Sequence, residues 1–179
     1  MHYWLGSSMK FFTLDTYHQW ASGKHSLAMC DRYRAYEDHL ESLKGLLPDE
    51  LLDLGRILVG DALVASVSSS YRRKTLRLVL RAGGMPEGYF DIDLNYEGAE
   101  VWPTECLLRQ IALETESSLR HPYELCYHEI DRMEDGLIEH RFLWHPGVIL
   151  AVRCRGLTWR RVDRANRDLP PAHRRYVSD

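Results

Sequence analysis

The chain of 179 residues carries ten tyrosines and five tryptophans, and its formal net charge is −3. That aromatic content excludes general disorder, and the length suffices to bury a substantial core within one domain. The mild acidity argues against a generally basic nucleic-acid binder, and no apolar run approaches the ~20 residues that span a bilayer.

Residues 1–8 lack the long apolar stretch of a signal peptide. They read as an extension or cloning remnant ahead of a natural start at Met9-Lys10-Phe11-Phe12, and the protein is expected to be cytoplasmic. Residues 14–20 suit a short helix capped by Thr13, and Gly23 breaks the chain. A longer helix is predicted from about 26 to 47, where Tyr33, Tyr36, Leu40, Leu43 and Leu47 recur at helical spacing. Its other side carries Glu37, Asp38 and Glu41. Pro48 then opens a short acidic turn of helix over residues 49–53.

From Gly55 the period changes from helical to alternating. Residues 57–59, 63–69, 75–81 and 89–96 are predicted strands: Leu76, Leu78 and Leu80 alternate with Arg77 and Arg81, and Phe90, Ile92 and Leu94 with Asp91 and Asp93. Pro103 ends this group. Residues 104–119 read as a helix capped by Thr104.

The last third is predicted as a four-stranded up-and-down meander over residues 124–132, 137–144, 148–154 and 157–162. Glu134-Asp135-Gly136, Pro146-Gly147 and Arg155-Gly156 supply its turns. A three-residue loop ending at Gly136 pairs Ile130 with His140, His128 with Phe142 and Cys126 with Trp144. A two-residue Pro146-Gly147 turn would splay the next hairpin and put Arg153 in the apolar face. A three-residue loop instead pairs Phe142 with Leu150, His140 with Val152 and Ile138 with Cys154, and sets Glu139 against Arg153. A tight Arg155-Gly156 turn then places Trp159 opposite Val152 and Leu157 opposite Cys154. In this register one face is apolar, while Glu129, Glu139, Arg141 and Arg153 lie on the other, expected to meet water.

The resulting fold class is α+β: N-terminal helices packed on a curved, mainly antiparallel sheet of about seven to eight strands, ending in the meander. Residues 9–163 form a single domain in this reading, with 9–54 helical and 55–163 a sheet with one inserted helix. Residues 164–179 form a loosely ordered basic tail.

Few residues suggest chemistry. His128 and His140 are diagonal neighbours in this register with Cys126 nearby, which makes them the candidate metal ligands; no spacing supplies a third. The stretch His121-Pro122-Tyr123-Glu124-Leu125-Cys126-Tyr127-His128-Glu129 has the wrong spacing, and the wrong secondary structure, for a helical HExxH site. Ser68-Ser69-Ser70 lacks the context of a catalytic serine and fits a turn. The four cysteines form no CxxC pair and read as small buried hydrophobes. Arg160, Arg161, Arg164, Arg167, Arg174 and Arg175 make the C-terminal end basic, which would suit a nucleic-acid contact or a solvated tail. No catalytic residue and no cofactor is assigned.

Met9-Lys10-Phe11-Phe12-Thr13, Leu51-Leu52-Asp53-Leu54-Gly55-Arg56-Ile57, and Tyr127-His128-Glu129-Ile130 followed by the run from Gly136 to Trp144 carry a resemblance. They resemble uncharacterised bacterial families described only as domains of unknown function. The resemblance implies an N-terminal helical part followed by a sheet, with a "Glu, then Gly-x-x-Glu-His-x-x-Leu" hairpin near the end. Some similar small families are described as immunity proteins of bacterial toxin systems. Leu52-Asp53 stands where a His-Asp pair is typical, so no histidine role carries over there, and the resemblance brings no catalytic residues. The expectation is therefore a non-enzymatic protein-binding module, of the toxin-neutralising immunity type. Its candidate partner-binding residues are Glu37, Asp38, Glu41, Glu129, Glu139, Arg141 and Arg153. The alternatives are a small metal-dependent hydrolase built on His128 and His140, or a nucleic-acid accessory protein using the arginine-rich tail. A homodimer paired through an edge strand is also compatible with the pattern.

Overall fold

The computed structural model describes residues 8–22, 27–84, 88–117 and 123–165. Residues 1–7, Gly23, His121 and the arginines Arg167, Arg174 and Arg175 lie outside them. The elements run α1 (Leu14–Ala21), α2 (Leu27–Ser42), α3 (Asp49–Arg56), β1 (Leu63–Ser70), β2 (Thr75–Gly84), β3 (Gly88–Glu97), β4 (Glu100–Trp102), α4 (Glu105–Ser117), β5 (Leu125–Arg132), β6 (Ile138–Trp144), β7 (Val148–Cys154) and β8 (Gly156–Arg164). No helix among the described residues is long and apolar enough to cross a membrane.

The helices begin where their caps place them. Thr13 Oγ1 accepts the Thr16 N–H at 3.4 Å at the head of α1, and Thr104 Oγ1 accepts the Cys106 N–H at 3.2 Å at the head of α4. The apolar stripe of α2 buries Tyr36 and Leu40 and continues into Leu43 and Leu47 beyond its end. The helix stops at Ser42 rather than Leu47, because a bridge between Lys44 and Leu47 turns the chain toward α3. Residues 57–59, expected as a strand, form no ladder and lead irregularly into β1.

The strands form two four-stranded antiparallel sheets, ordered β1-β2-β3-β8 and β4-β7-β6-β5, instead of one continuous sheet. Leu78, Leu80, Ile92 and Leu94 from the first join Ile130, Phe142, Leu150 and Val152 from the second in a single buried cluster with residues of α2 and α3. The hairpins of the second sheet have the register that alternation requires. Ile130 pairs with His140, His128 with Phe142, Ile138 with Cys154, Glu139 with Arg153, His140 with Val152 and Phe142 with Leu150. One pair differs: Leu125, not Cys126, faces Trp144, because the register shifts between Leu125 and Tyr127. The extra residue of such a bulge re-aims the side chains around it.

The fourth strand of the expected meander does not follow β7. Trp159 faces Leu94 and Leu157 faces Tyr96, both on β3, in place of Val152 and Cys154. The free edge of β7 is already taken by β4, a short strand absent from the sequence reading, which pairs Glu100 with Arg153, Val101 with Val152 and Trp102 with Ala151. Nor does Gly156 adopt the positive φ that a primed two-residue turn demands of its glycine. The chain instead crosses between sheets at Arg155, whose N–H donates to the Glu97 carbonyl at 2.8 Å. Beside it β3 passes into β4 through Gly98, with φ +65°, where an added Cβ would lie 2.6 Å from Arg155 Nε. Two strands thus switch sheets side by side, as they do at the corners of packed sheets.

Candidate functional site

The charged face of β5, β6 and β7 is turned into the protein rather than toward water. Glu129, Asp131, Glu139 and Arg141 are all buried. Residues Lys10–Phe12 lie over them: the Glu129 carboxylate accepts the backbone N–H groups of Lys10 at 2.8 Å, Phe11 at 2.7 Å and Phe12 at 2.8 Å. Arg141 sits 3.6 Å from Glu129, donates to Glu139 at 2.5 Å and approaches Asp131 at 3.3 Å, while Arg153 donates to Glu139 at 2.7 Å. Lys10 Nζ pairs with Asp131, and His39 Nε2 lies 3.1 Å from its other oxygen. Burial opposes ionisation of Asp131, but Lys10, Arg141 and His39 outweigh it and hold its carboxyl below the usual range. Three carboxylates thus meet Arg141, Arg153 and Lys10, a charge-balanced set. Alternating acids and bases on a strand look the same in sequence whether water or a chain segment covers them. Glu129, Glu139 and Arg141, expected to meet water, are instead buried, and only Arg153 of that group is half-buried.

His128 and His140 do come together, 2.9 Å apart between Nδ1 and Nε2. His128 Nε2 is also 2.9 Å from the Ile57 carbonyl, and His140 Nδ1 is 2.9 Å from the Tyr96 hydroxyl. A carbonyl only accepts, which fixes the direction: Tyr96 O–H donates to His140, His140 Nε2–H to His128, and His128 Nε2–H to Ile57. Burial drives His128 down to about 4, against the opposing pull of the Ile57 carbonyl. Burial also lowers His140 well below the ordinary range, with the charges of His128 and Arg141 adding to it. Both rings are therefore neutral near pH 7, and each nitrogen is engaged. Neither ring presents a free lone pair to a metal or a substrate proton, and among the described residues no group of three His, Cys, Asp or Glu side chains converges as a metal shell would. The pair ties the second sheet to Tyr96 of the first and to the segment after α3.

Next to His128 lies a cavity of about 240 Å³ lined by Phe12, Tyr33, Tyr36, Leu58, Cys126 and Tyr127 among others. Several elements converge on it. The amides bound by Glu129 hold the residue carrying Phe12, whose ring stacks on Tyr127 with centroids 4.8 Å apart at 7°. Tyr36 accepts the Ile130 N–H at 2.9 Å, and Gly55 brings α3 close against Leu40 and the Tyr36 hydroxyl. Leu58 stands at the cavity 74 % exposed. Glu37 also lines it, on the same side of α2 as Glu41, with exposed Asp38 beside them. Arg56 reaches back from α3 to Glu37 at 3.2 Å and Glu41 at 2.8 Å, and Lys44 pairs with Glu41. With Asp53 3.6 Å from Arg56, four carboxylates face two cations, so the rim stays acidic. The irregular stretch 57–60 that builds one wall of this cavity carries no periodicity, so spacing alone does not disclose it.

The cysteines divide by environment. Burial lifts the thiols of Cys126 and Cys154 to about 12, while Cys30 and Cys106 are exposed. In native protein a thiol reagent at neutral pH should therefore label Cys30 and Cys106 and leave the other two until denaturant is added. Mass mapping that found Cys126 or Cys154 labelled at the same rate would contradict this arrangement.

Comparison of the chain with family models, with curated proteins and with solved structures gave no match.

Proposed function

We propose that this protein works by binding another protein rather than by catalysis, in the manner of an immunity protein that neutralises a toxin. The surface that serves is the cavity between α2, the 57–60 stretch and β5, with its acidic rim of Glu37, Asp38 and Glu41. The observation that carries the reading is Leu58, exposed beside an aromatic-walled hole of about 240 Å³. That volume falls below the ~300–1,000 Å³ of small-molecule sites and is nearer to one large side chain. An apolar anchor in a pocket, ringed by polar groups, is the arrangement that concentrates protein–protein binding energy. The rim charge favours a basic partner, acting on encounter rate and specificity more than on affinity.

The test is co-expression with the product of the neighbouring gene, followed by calorimetry on the purified pair. Leu58→Glu should weaken binding at least about tenfold, and Glu37→Lys should slow association in a salt-dependent way. Binding that survives Leu58→Glu unchanged would rule out this surface, and a neighbouring product that never binds would remove the immunity role.

A further inference from the structure

The outer face of the first sheet carries a second charge pattern, open where the cluster under Lys10–Phe12 is closed. Asp93 receives Arg77 from β2 through Nε at 2.7 Å and NH2 at 2.9 Å, and Arg160 from β8 through Nε at 3.0 Å and NH2 at 2.9 Å. Asp91 likewise receives Arg81 at 2.9 and 3.2 Å and Arg164 at 2.7 Å. Each row reads cation, anion, cation from β2 through β3 to β8. The bidentate arginines of β2 already balance the two buried aspartates, so Arg160 and Arg164 leave these two rows with an excess of two positive charges. Their side chains are 69 % and 44 % exposed. Together the two rows wall a concavity of about 310 Å³ floored by Ala65, Ser66, Val79 and Val162.

β8 is the last strand of its sheet, so both rows end on a cation beside a strand edge that no other strand among the described residues pairs. Opposite charges set across a ladder stabilise it and like charges weaken it. We propose that β8 is a docking edge for an extended acidic segment of another protein, which adds as a fifth strand and sets its carboxylates beside Arg160 and Arg164. A second copy of this chain does not suit the edge. Antiparallel pairing of two β8 strands would bring Arg160, Arg161 and Arg164 of one against those of the other, and Asp163 is the one acidic residue each strand itself contributes. Single-stranded nucleic acid lacks its stacking platform, since no aromatic ring among the described residues lines the concavity. The edge is held in place for a guest strand: Trp159 Nε1–H donates to the Glu50 carbonyl at 2.5 Å, and the Arg161 guanidinium lies 3.8 Å over the Phe90 ring. Because residues on one face recur every second position, the guest's acidic side chains must be an even number of residues apart. This surface is distinct from the acidic cavity rim and takes a partner of opposite charge.

The full chain would be titrated with fluorescein-labelled Thr/Val peptides as long as β8, nine residues. In one peptide two glutamates are an even number apart. A second peptide of identical composition has an odd spacing, and a third is N-methylated at alternate amides. An oligonucleotide of matched charge completes the set. The even-spaced peptide should bind, protect β8 amides from hydrogen exchange, and lose at least about tenfold in affinity in Arg160→Gln/Arg164→Gln. Arg77 and Arg81 still hold the aspartates in that variant, and a melt compared with the parent checks its fold. If the glutamine variant melts early, added salt on the parent protein gives the same reading, because screening should release the even-spaced peptide. Equal affinity for odd and even spacing, binding of the N-methylated peptide, tighter binding of the oligonucleotide, or no peptide binding would each overturn the proposal.

Discussion

Glu129→Gln is expected to lower the free energy of unfolding by about 3–5 kcal/mol, the range measured when one partner of a buried ion pair is removed. The carboxylate has three successive backbone N–H donors on it, from Lys10, Phe11 and Phe12, and Arg141 3.6 Å away. Charge-assisted hydrogen bonds contribute roughly 1.5–3 kcal/mol apiece, and a glutamine turns a donor toward at least one amide while leaving Arg141 short of an anion. The effect should be local before it is global. Phe12 is buried against Tyr127, Tyr33 and Tyr36, so loss of its anchor also loosens the wall of the cavity. Urea unfolding gives the total, and hydrogen exchange at residues 10–12 gives the local part. A change under about 0.5 kcal/mol, the scale of ordinary surface substitutions, with those amides still protected would mean that packing of Phe12 alone holds the segment.

This dependence bears on how much of the molecule its sequence discloses. The β5–β6–β7 register was readable because turn geometry and apolar alternation agree there, and one slip would put Arg153 on the apolar face and turn Val152 and Leu150 away from it. The destination of β8 was not readable. Arg155-Gly156 resembles a hairpin turn, and only the claim of β4 on the edge of β7 sends the strand to β3. The direction of the charges was equally hidden. Glu129 and Arg141 face each other as alternation requires, yet the backbone that caps Glu129 comes from residues more than a hundred positions earlier. The adjacency of His128 and His140 could be deduced from pairing. Their neutrality could not, since it comes from burial, which the packing of the two sheets and the segment after α3 imposes.

That neutrality sets the acid limit of the fold, which is the second large expected effect. In the unfolded chain a histidine takes up its proton near pH 6.5, whereas folded His128 does so only at about 4. A histidine whose folded value is depressed contributes stability that is complete above the unfolded value and is lost as pH falls toward the folded one. Stability should therefore be flat above about pH 6.5 and fall by about 3 kcal/mol between pH 6.5 and 4 through His128 alone, at about 1.4 kcal/mol for each unit of separation. His140, shifted in the same direction, adds to that fall. Asp131 contributes in a separate window: its carboxyl is held below the ordinary value, so its share is kept until pH drops below about 4. Urea midpoints taken between pH 8 and 4 follow the histidine window, and extending them below pH 4 reaches that of Asp131. His128→Gln supplies the control, because it removes one titrating ring. That variant should be less stable than the parent at pH 7 yet show a shallower decline toward pH 4, and parallel curves for the two proteins would mean that His128 is not kept neutral in the fold.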